Sequence, residues 1–233
     1  MLGFAIGCLH SWVKDDNRAS LLDYPRKLNL RAVEITLGPM NEFNAFNPSK
    51  KQLKWLHSLD YVSLHAPFRT RGLDLDMIAT KTKKIFDLVN AKTVIVHANN
   101  ISMIDAFYKR MPISIEHMEV RRNISLKDFK KIVDKYPKAS ICMDVSHNYT
   151  HSVNETKHML NLFGNRIKEI HFSGSKYKKT HTTMANSPRA FFKSIKPLIK
   201  TDIPIIIEED CPKSTFSWLK SEVNTIRNLL QLK

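Results

Sequence analysis

Imidazole and carboxylate side chains recur in this sequence at one kind of position, the carboxyl end of short apolar runs. Glu34 lies in the second such run, His65 closes the third, His97 the fourth and Glu116 the fifth. Asp144 closes the sixth with His147 three residues on, His171 the seventh and Glu208 the eighth. Period-two alternation puts Ser63 on the face of His65, Cys142 on that of Asp144 and Ile206 on that of Glu208, so small or apolar residues underlie the polar tips. Ionisable groups gathered in one interior repel one another or lose hydration at heavy cost unless something compensates. A divalent cation is the natural compensator, because imidazole and carboxylate are its usual ligands. One strand-end histidine alone is ordinarily a hydrogen-bonded core residue, and one acid alone a helix cap. Repetition along the chain is what points to a metal centre.

Such tips meet only if the scaffold brings them together. The apolar, β-branched runs are 3–7, 32–37, 61–65, 93–97, 113–116, 140–144, 167–171 and 203–208. Near-continuous apolar runs of this length suit parallel strands buried on both faces. The segments between them read as amphipathic helices over 21–28, 50–58, 75–89, 101–109, 126–135, 154–163, 190–199 and 216–232. Start signals support two of these: Asn47-Pro48-Ser49 before the second, and Ser125 with Asp128 three residues on before the fifth. Eight strand-then-helix units in 233 residues predict an α/β fold, a single eight-stranded parallel TIM barrel spanning residues 1–233. An open doubly wound sheet competes, but the glycine-rich turn expected after its first strand is missing, and the chain has only 6 glycines. No linker, low-complexity tract or composition shift marks a second domain.

Composition narrows the function classes. Hydrophobic residues at 42% and charged residues at 25% are ordinary for a globular chain. No apolar run approaches the roughly 18 residues that cross a bilayer, so no membrane role is expected. Residues 2–8 are too short for a secretory core and lack a basic segment before them, which leaves them as a strand. Cys8, Cys142 and Cys211 lie far apart and cannot all pair, which argues against a disulfide scaffold or four-cysteine zinc module and predicts a reducing cytoplasm. Cys8 and Cys142 read as barrel filling and Cys211 as a surface thiol. Lys and Arg number 37 against 22 acids, a net charge of +15, which fits an anionic partner or plain solubility. No obligate protein partner is evident.

The runs VSLHAPF (62–68), VIVHA (94–98), SIEHM (114–118), MDVSH (143–147), KEIHFSGSK (168–176) and IIIEE (205–209) together resemble the xylose-isomerase-like barrel superfamily. That group includes the endonuclease IV apurinic endonucleases, AP endonuclease family 2, and sugar isomerases and epimerases. The resemblance implies a shared metal site of Glu116, Asp144, His171 and Glu208. Within the endonuclease IV branch it implies a second ion on His65 and His97 with Glu116 bridging, and a third on His147 and His181. It thus implies two or three divalent ions, zinc by the histidine-rich set or manganese if carboxylates dominate. Arg69, Arg71, Arg121, Arg122, Lys176, Lys178 and Lys179 follow site strands and suit a phosphate-bearing ligand. Lysines of the helical segments, such as Lys83 and Lys130, read as solvated faces.

Two activities follow from this resemblance. One is metal-dependent phosphodiester hydrolysis at abasic or otherwise damaged DNA. The other is a sugar or sugar-phosphate isomerase or epimerase, in which Glu116 and Glu208 shuttle a proton beside one ion and His147 contacts the sugar. A non-catalytic nucleic-acid-binding relative is a third, weaker possibility. The nuclease pattern is incomplete: Lys179 stands where the third-ion motif has an aspartate, so that ion is either absent or replaced by an ammonium. His97 is followed by Ala98-Asn99-Asn100 rather than Pro-Gly, and the loop at 38–41 lacks the Arg-containing DNA-intercalating segment of that branch. The sugar enzyme leaves unexplained why two further strands end in histidine. His10, just after the first strand, is expected either to reach the site or to be an ordinary loop residue; His117 and His151 are expected on the rim, Trp55 in core packing, and Met103, Met111 and Met159 packed or facing solvent.

Overall fold

Strands buried on both faces need partners on both edges, and here they find them by closing a ring. The computed structural model describes residues 1–176, 179–211 and 215–232. Its strands are β1 (Leu2–Ala5), β2 (Ala32–Thr36), β3 (Tyr61–His65), β4 (Thr93–His97), β5 (Ile113–Glu116), β6 (Ser140–Asp144), β7 (Ile167–Phe172), β8 (Gly174–Lys176), β9 (Lys179–Thr182) and β10 (Ile205–Ile207). Eight of them close into a barrel in the order β1-β10-β7-β6-β5-β4-β3-β2, every pair parallel. β8 and β9 form an antiparallel hairpin after β7.

The intervening helices are α1 (Asp23–Lys27), α2 (Met40–Ala45), α3 (Lys50–Leu56), α4 (Leu75–Val89), α5 (Ile101–Tyr108), α6 (Leu126–Lys135), α7 (Val145–His151), α8 (Glu155–Phe163), α9 (Arg189–Ser194) and α10 (Phe216–Leu229). Ser49 starts α3 with a reciprocal cap: its Oγ accepts from Gln52 N while the Gln52 side chain meets Ser49 N. Ser125 caps α6 by accepting from Asp128 N at 3.2 Å. Among the departures from the expected elements, which also include the short α2 in place of a loop after β2, three bear on the site. The first run ends at Ala5 and continues as a 3-10 turn over Ile6–Trp12. A short helix, α7, follows Asp144 directly, and the segment after β7 turns back on itself as the hairpin.

Register fixes which tips meet. His97 lies opposite Glu116 across β4 and β5, Asp144 opposite His171 across β6 and β7, and Glu34 opposite Ser63 across β2 and β3. Deeper in the barrel Gly3 is required by space: a Cβ there would come within 2.6 Å of Ile206 Cδ1 and 2.7 Å of Ala32. Ile206 fills the volume that a side chain on β1 would claim. Among the described residues no helix is long and apolar enough to cross a membrane.

Candidate metal centre

All eight expected ligands come together at the carboxyl ends of the barrel strands, in overlapping sets. His65, His97 and Glu116 form the first; Glu116, Asp144, His171 and Glu208 the second; Asp144, His147 and His181 the third. Within each set the ligand atoms lie within 4.8 Å of one another. In the first, His65 Nε2 is 3.1 Å from His97 Nε2, and Glu116 Oε2 is 3.1 Å from His97 Nε2 and 3.7 Å from His65 Nε2. In the second, His171 Nδ1 is 2.8 Å from Glu208 Oε2 and 3.4 Å from Glu116 Oε1. Ligand atoms around a tetrahedral ion with bonds near 2.1 Å stand about 3.4 Å apart, so these spacings are those of coordination edges.

The protonation pattern asks for cations independently. His147 Nδ1 donates to the His117 carbonyl at 3.0 Å and His181 Nδ1 to the Glu208 carbonyl at 2.9 Å. Both Nε2 atoms are then left with lone pairs, yet they face each other at 3.2 Å. His65 repeats the arrangement, its Nδ1 donating to the Ala66 carbonyl at 3.0 Å while Nε2 faces His97. Two facing lone pairs need a proton or a metal between them. Buried Glu116 Oε2, Asp144 Oδ2 and Glu208 Oε2 have no hydrogen-bond partner, although imidazoles lie against them. Atoms that converge without hydrogen-bond geometry are aimed at a common centre. The donor set therefore fits divalent metal.

A buried network sets the ligands from beneath. His171 Nε2 donates to Glu34 Oε2 at 2.9 Å, which leaves Nδ1 as the atom that could coordinate an ion. Glu169, fully buried, accepts from Tyr61 at 2.8 Å and Ser63 at 2.9 Å and lies 3.4 Å from the His171 ring. Cys142, fully buried, fills the barrel in the same layer as Glu169 and His171. Asp144 Oδ1 accepts from His147 N at 2.7 Å and Ser146 Oγ at 2.8 Å, capping α7 and aiming its other oxygen at the centre. His181 is held at φ +56°, a left-handed backbone costing about 1–2 kcal/mol, with its carbonyl accepting from Asp210 N at 2.7 Å.

Without cations, protons take their place. Burial alone would lower His65, but the carboxylates of Glu116, Glu34 and Glu208 raise it to about 9. Burial likewise opposes a charge on His181, yet Glu208 and Asp144 bring it to about 9. For Glu208 burial pushes upward and is outweighed by His171 and His181, which hold it near 2. Glu116 is pulled well below the usual carboxylate range against burial by His97, His171 and His65.

No family model matches the sequence, and no curated protein matches it. Solved structures do match, along nearly their whole length. D-allulose 3-epimerase from Methylomonas sp. superposes with a TM-score of 0.69 at 14% identity, covering 98% of this chain and 97% of that one. Endonuclease IV from Thermus thermophilus gives 0.67 at 14%, covering 100% and 99%. A xylose isomerase domain protein from Alicyclobacillus acidocaldarius gives 0.68 at 12%, covering 100% and 99%. The fold is the closed eight-stranded parallel barrel that these proteins share. An endonuclease IV and a D-allulose 3-epimerase share this barrel, so the likeness decides the architecture and leaves the chemistry to the site.

The basic residues divide. Arg69, Arg71 and Arg122 line a cleft of about 690 Å³ that opens beside His65 and His97. Arg121 and Arg122 line a smaller one of about 300 Å³ directly over Glu116, His147, His181 and Glu208. Lys176 and Lys179 face each other across the hairpin, exposed, and line neither cleft; Lys178 lies outside the described residues. Lys179 is thus not placed to stand in for an ion. Two expectations, on His117 and Cys211, need correction. His117 is not on the rim but fully buried, bonded to Asn148 Oδ1 at 3.1 Å and packed on Phe129 and His151. His151, expected on the rim, is half-buried, which does not contradict that place, its Nε2 donating to the Met118 carbonyl at 2.9 Å. Cys211 is buried and its N–H meets the Cys8 carbonyl, so it is no surface thiol. Sequence reasoning missed Glu169 and Glu119. Alternation back from His171 would have found the first; no local signal marks the second.

Proposed function

We propose that this barrel is a metal-dependent phosphodiester hydrolase acting on DNA at abasic or otherwise damaged sites. The observation that carries the reading is that three ligand sets share Glu116 and Asp144 in one cavity, since a sugar isomerase is served by the second set alone. Divalent ions there would polarise the phosphodiester, make water a better nucleophile and neutralise charge on the leaving oxygen. Zinc suits the five imidazoles and manganese is the alternative.

The chain's own residues do the rest. Arg69, Arg71 and Arg122 bind the phosphates flanking the scissile bond, where planar guanidinium groups match phosphate oxygens. Phe68, 39% exposed, borders both clefts and offers an apolar face to a base or a bare deoxyribose. His97 is the most open ligand of the first set, with 34% of its side chain exposed, so substrate enters from its side. Glu208 stays ionised throughout the physiological range and holds charge rather than donating a proton. The protein works in the cytoplasm on this reading, with no membrane and no obligate protein partner.

A sugar or sugar-phosphate isomerase or epimerase is the second reading. It is favoured by the completeness of the Glu116, Asp144, His171 and Glu208 set, which provides one ion and two flanking carboxylates without help from the histidine pairs. The deciding assay sets a duplex with a single abasic site beside ketose phosphates, each with Zn²⁺ or Mn²⁺. Incision 5′ or 3′ to the lesion, lost in Glu208→Gln, supports the hydrolase. Epimerised product without incision overturns it in favour of the sugar enzyme.

A further inference from the structure

The third ligand set is unevenly supplied. His147 and His181 present lone pairs to each other, but Asp144 has one oxygen tied to Ser146 and His147 N, and the second set needs the other. The missing carboxylate is close by. Glu119, only 5% exposed, follows β5 and lines the cleft over His147 and His181. Its Oε2 lies 3.6 Å from His147 Nε2. That is too long for a hydrogen bond and close to the spacing of two ligands around one ion, about 3.4 Å. Because His147 donates from Nδ1, the Glu119 oxygen faces a lone pair and not a proton. Glu119 Oε1 meanwhile faces Arg121 at 3.4 Å and Arg122 at 3.3 Å, which leaves Oε2 directed inward.

Nor is this proximity loose. The segment carrying Glu119 is cross-linked to α7, which carries His147, at successive positions. The His117 ring pairs with Asn148 at 3.1 Å, the Met118 carbonyl accepts from His151 at 2.9 Å and Val120 N–H donates to Thr150 Oγ1 at 2.9 Å. These bonds also give His117 and His151 a purpose that the reaction itself does not.

We propose that Glu119 is the carboxylate ligand of the third cation, completing a site with His147 and His181, and that Arg121 and Arg122 hold it in place. This rests on the multinuclear reading above and adds a ligand to it. The site would take a divalent first-row ion such as Zn²⁺ on two imidazoles and one carboxylate, with room for a phosphate oxygen or water from the cleft.

The test is Zn²⁺ uptake by the full chain after chelator treatment, counted by mass spectrometry of dialysed protein and followed by titration. Wild type is expected to take three ions. Glu119→Gln and His181→Ala are each expected to take two, with the weakest site loosened more than tenfold, while the ion-free melting temperature of Glu119→Gln stays that of wild type. Three ions in Glu119→Gln with an unchanged weakest affinity overturn the Glu119 assignment alone. Two ions in wild type remove the third site but leave the shared Glu116 pair; one or none removes the multinuclear reading itself. Should Glu119→Gln not fold, anomalous scattering from wild-type crystals grown with Zn²⁺ gives the answer: a third peak within about 2.2 Å of Glu119, His147 and His181 supports the assignment. A third peak with the Glu119 carboxylate more than about 3 Å away overturns it.

Discussion

His171 is gripped from two sides, with Glu34 on Nε2 and the Glu208 and Glu116 oxygens at Nδ1. Glu34→Gln keeps the shape but lets the amide donate as well as accept, so the ring loses its fixed tautomer. Metal affinity of the second set should fall roughly 10- to 100-fold, read by competition with a chromophoric chelator; unchanged affinity would show that Glu34 merely fills space. The protonated imidazoles give a second prediction. His65 and His181 sit near 9 in the ion-free fold, above the ordinary value of 6.5. Their contribution to stability is complete below pH 6.5 and is lost as pH rises through about 9. The ion-free protein should therefore melt progressively lower across that window while the Zn²⁺-loaded protein does not, and parallel melting curves would contradict it. At this scale most ligands were legible, because His65, His97, Asp144 and His171 each close an apolar strand. Glu169 was overlooked although alternation back from His171 puts it on the same inward face, because the layer beneath the strand tips is ordinarily apolar filling and a buried carboxylate there is held only by its bonds to Tyr61 and Ser63.

Among the elements, β3 to β6 and helices α4 and α6 have the bounds their sequences predict, since apolar periodicity and capping agree there. α7 escaped notice for a physical reason. Val145–His151 is made of weak helix formers, and its first turn depends on the Asp144 cap and on packing below. On the proposed reading Asp144 would serve a helix with one oxygen and a metal with the other, and the two roles separate by substitution. Asp144→Asn should keep the cap and leave the ion-free melting temperature close to wild type while weakening metal uptake. Asp144→Ala should lose both, at about 1 kcal/mol for the cap. Equal destabilisation by the two would contradict the division. The β8–β9 hairpin was equally hidden, its polar sequence having no alternation, yet it delivers His181.

For the molecule as a whole, the +15 charge is not one field aimed at a substrate. Lys83 pairs with Asp87 and Lys130 with Asp134 at 2.6 Å each, on outer helices away from the strand ends. The site contributes Arg69, Arg71, Arg121 and Arg122. DNA affinity should then fall steeply with salt, and Arg69→Ala or Arg122→Ala should each lower the log–log slope by about 1, whereas Lys83→Ala should not. Equal effects from all three would mean that binding is diffuse. The barrel matters because it gathers ligands from β3, β4, β5, β6, β7 and the hairpin, scattered along the chain, onto one face. That gathering is most directly tested by metal content: protein stripped with chelator, reloaded with Zn²⁺ and dialysed should hold more than one ion per chain. One ion, or none, would contradict a shared multinuclear centre.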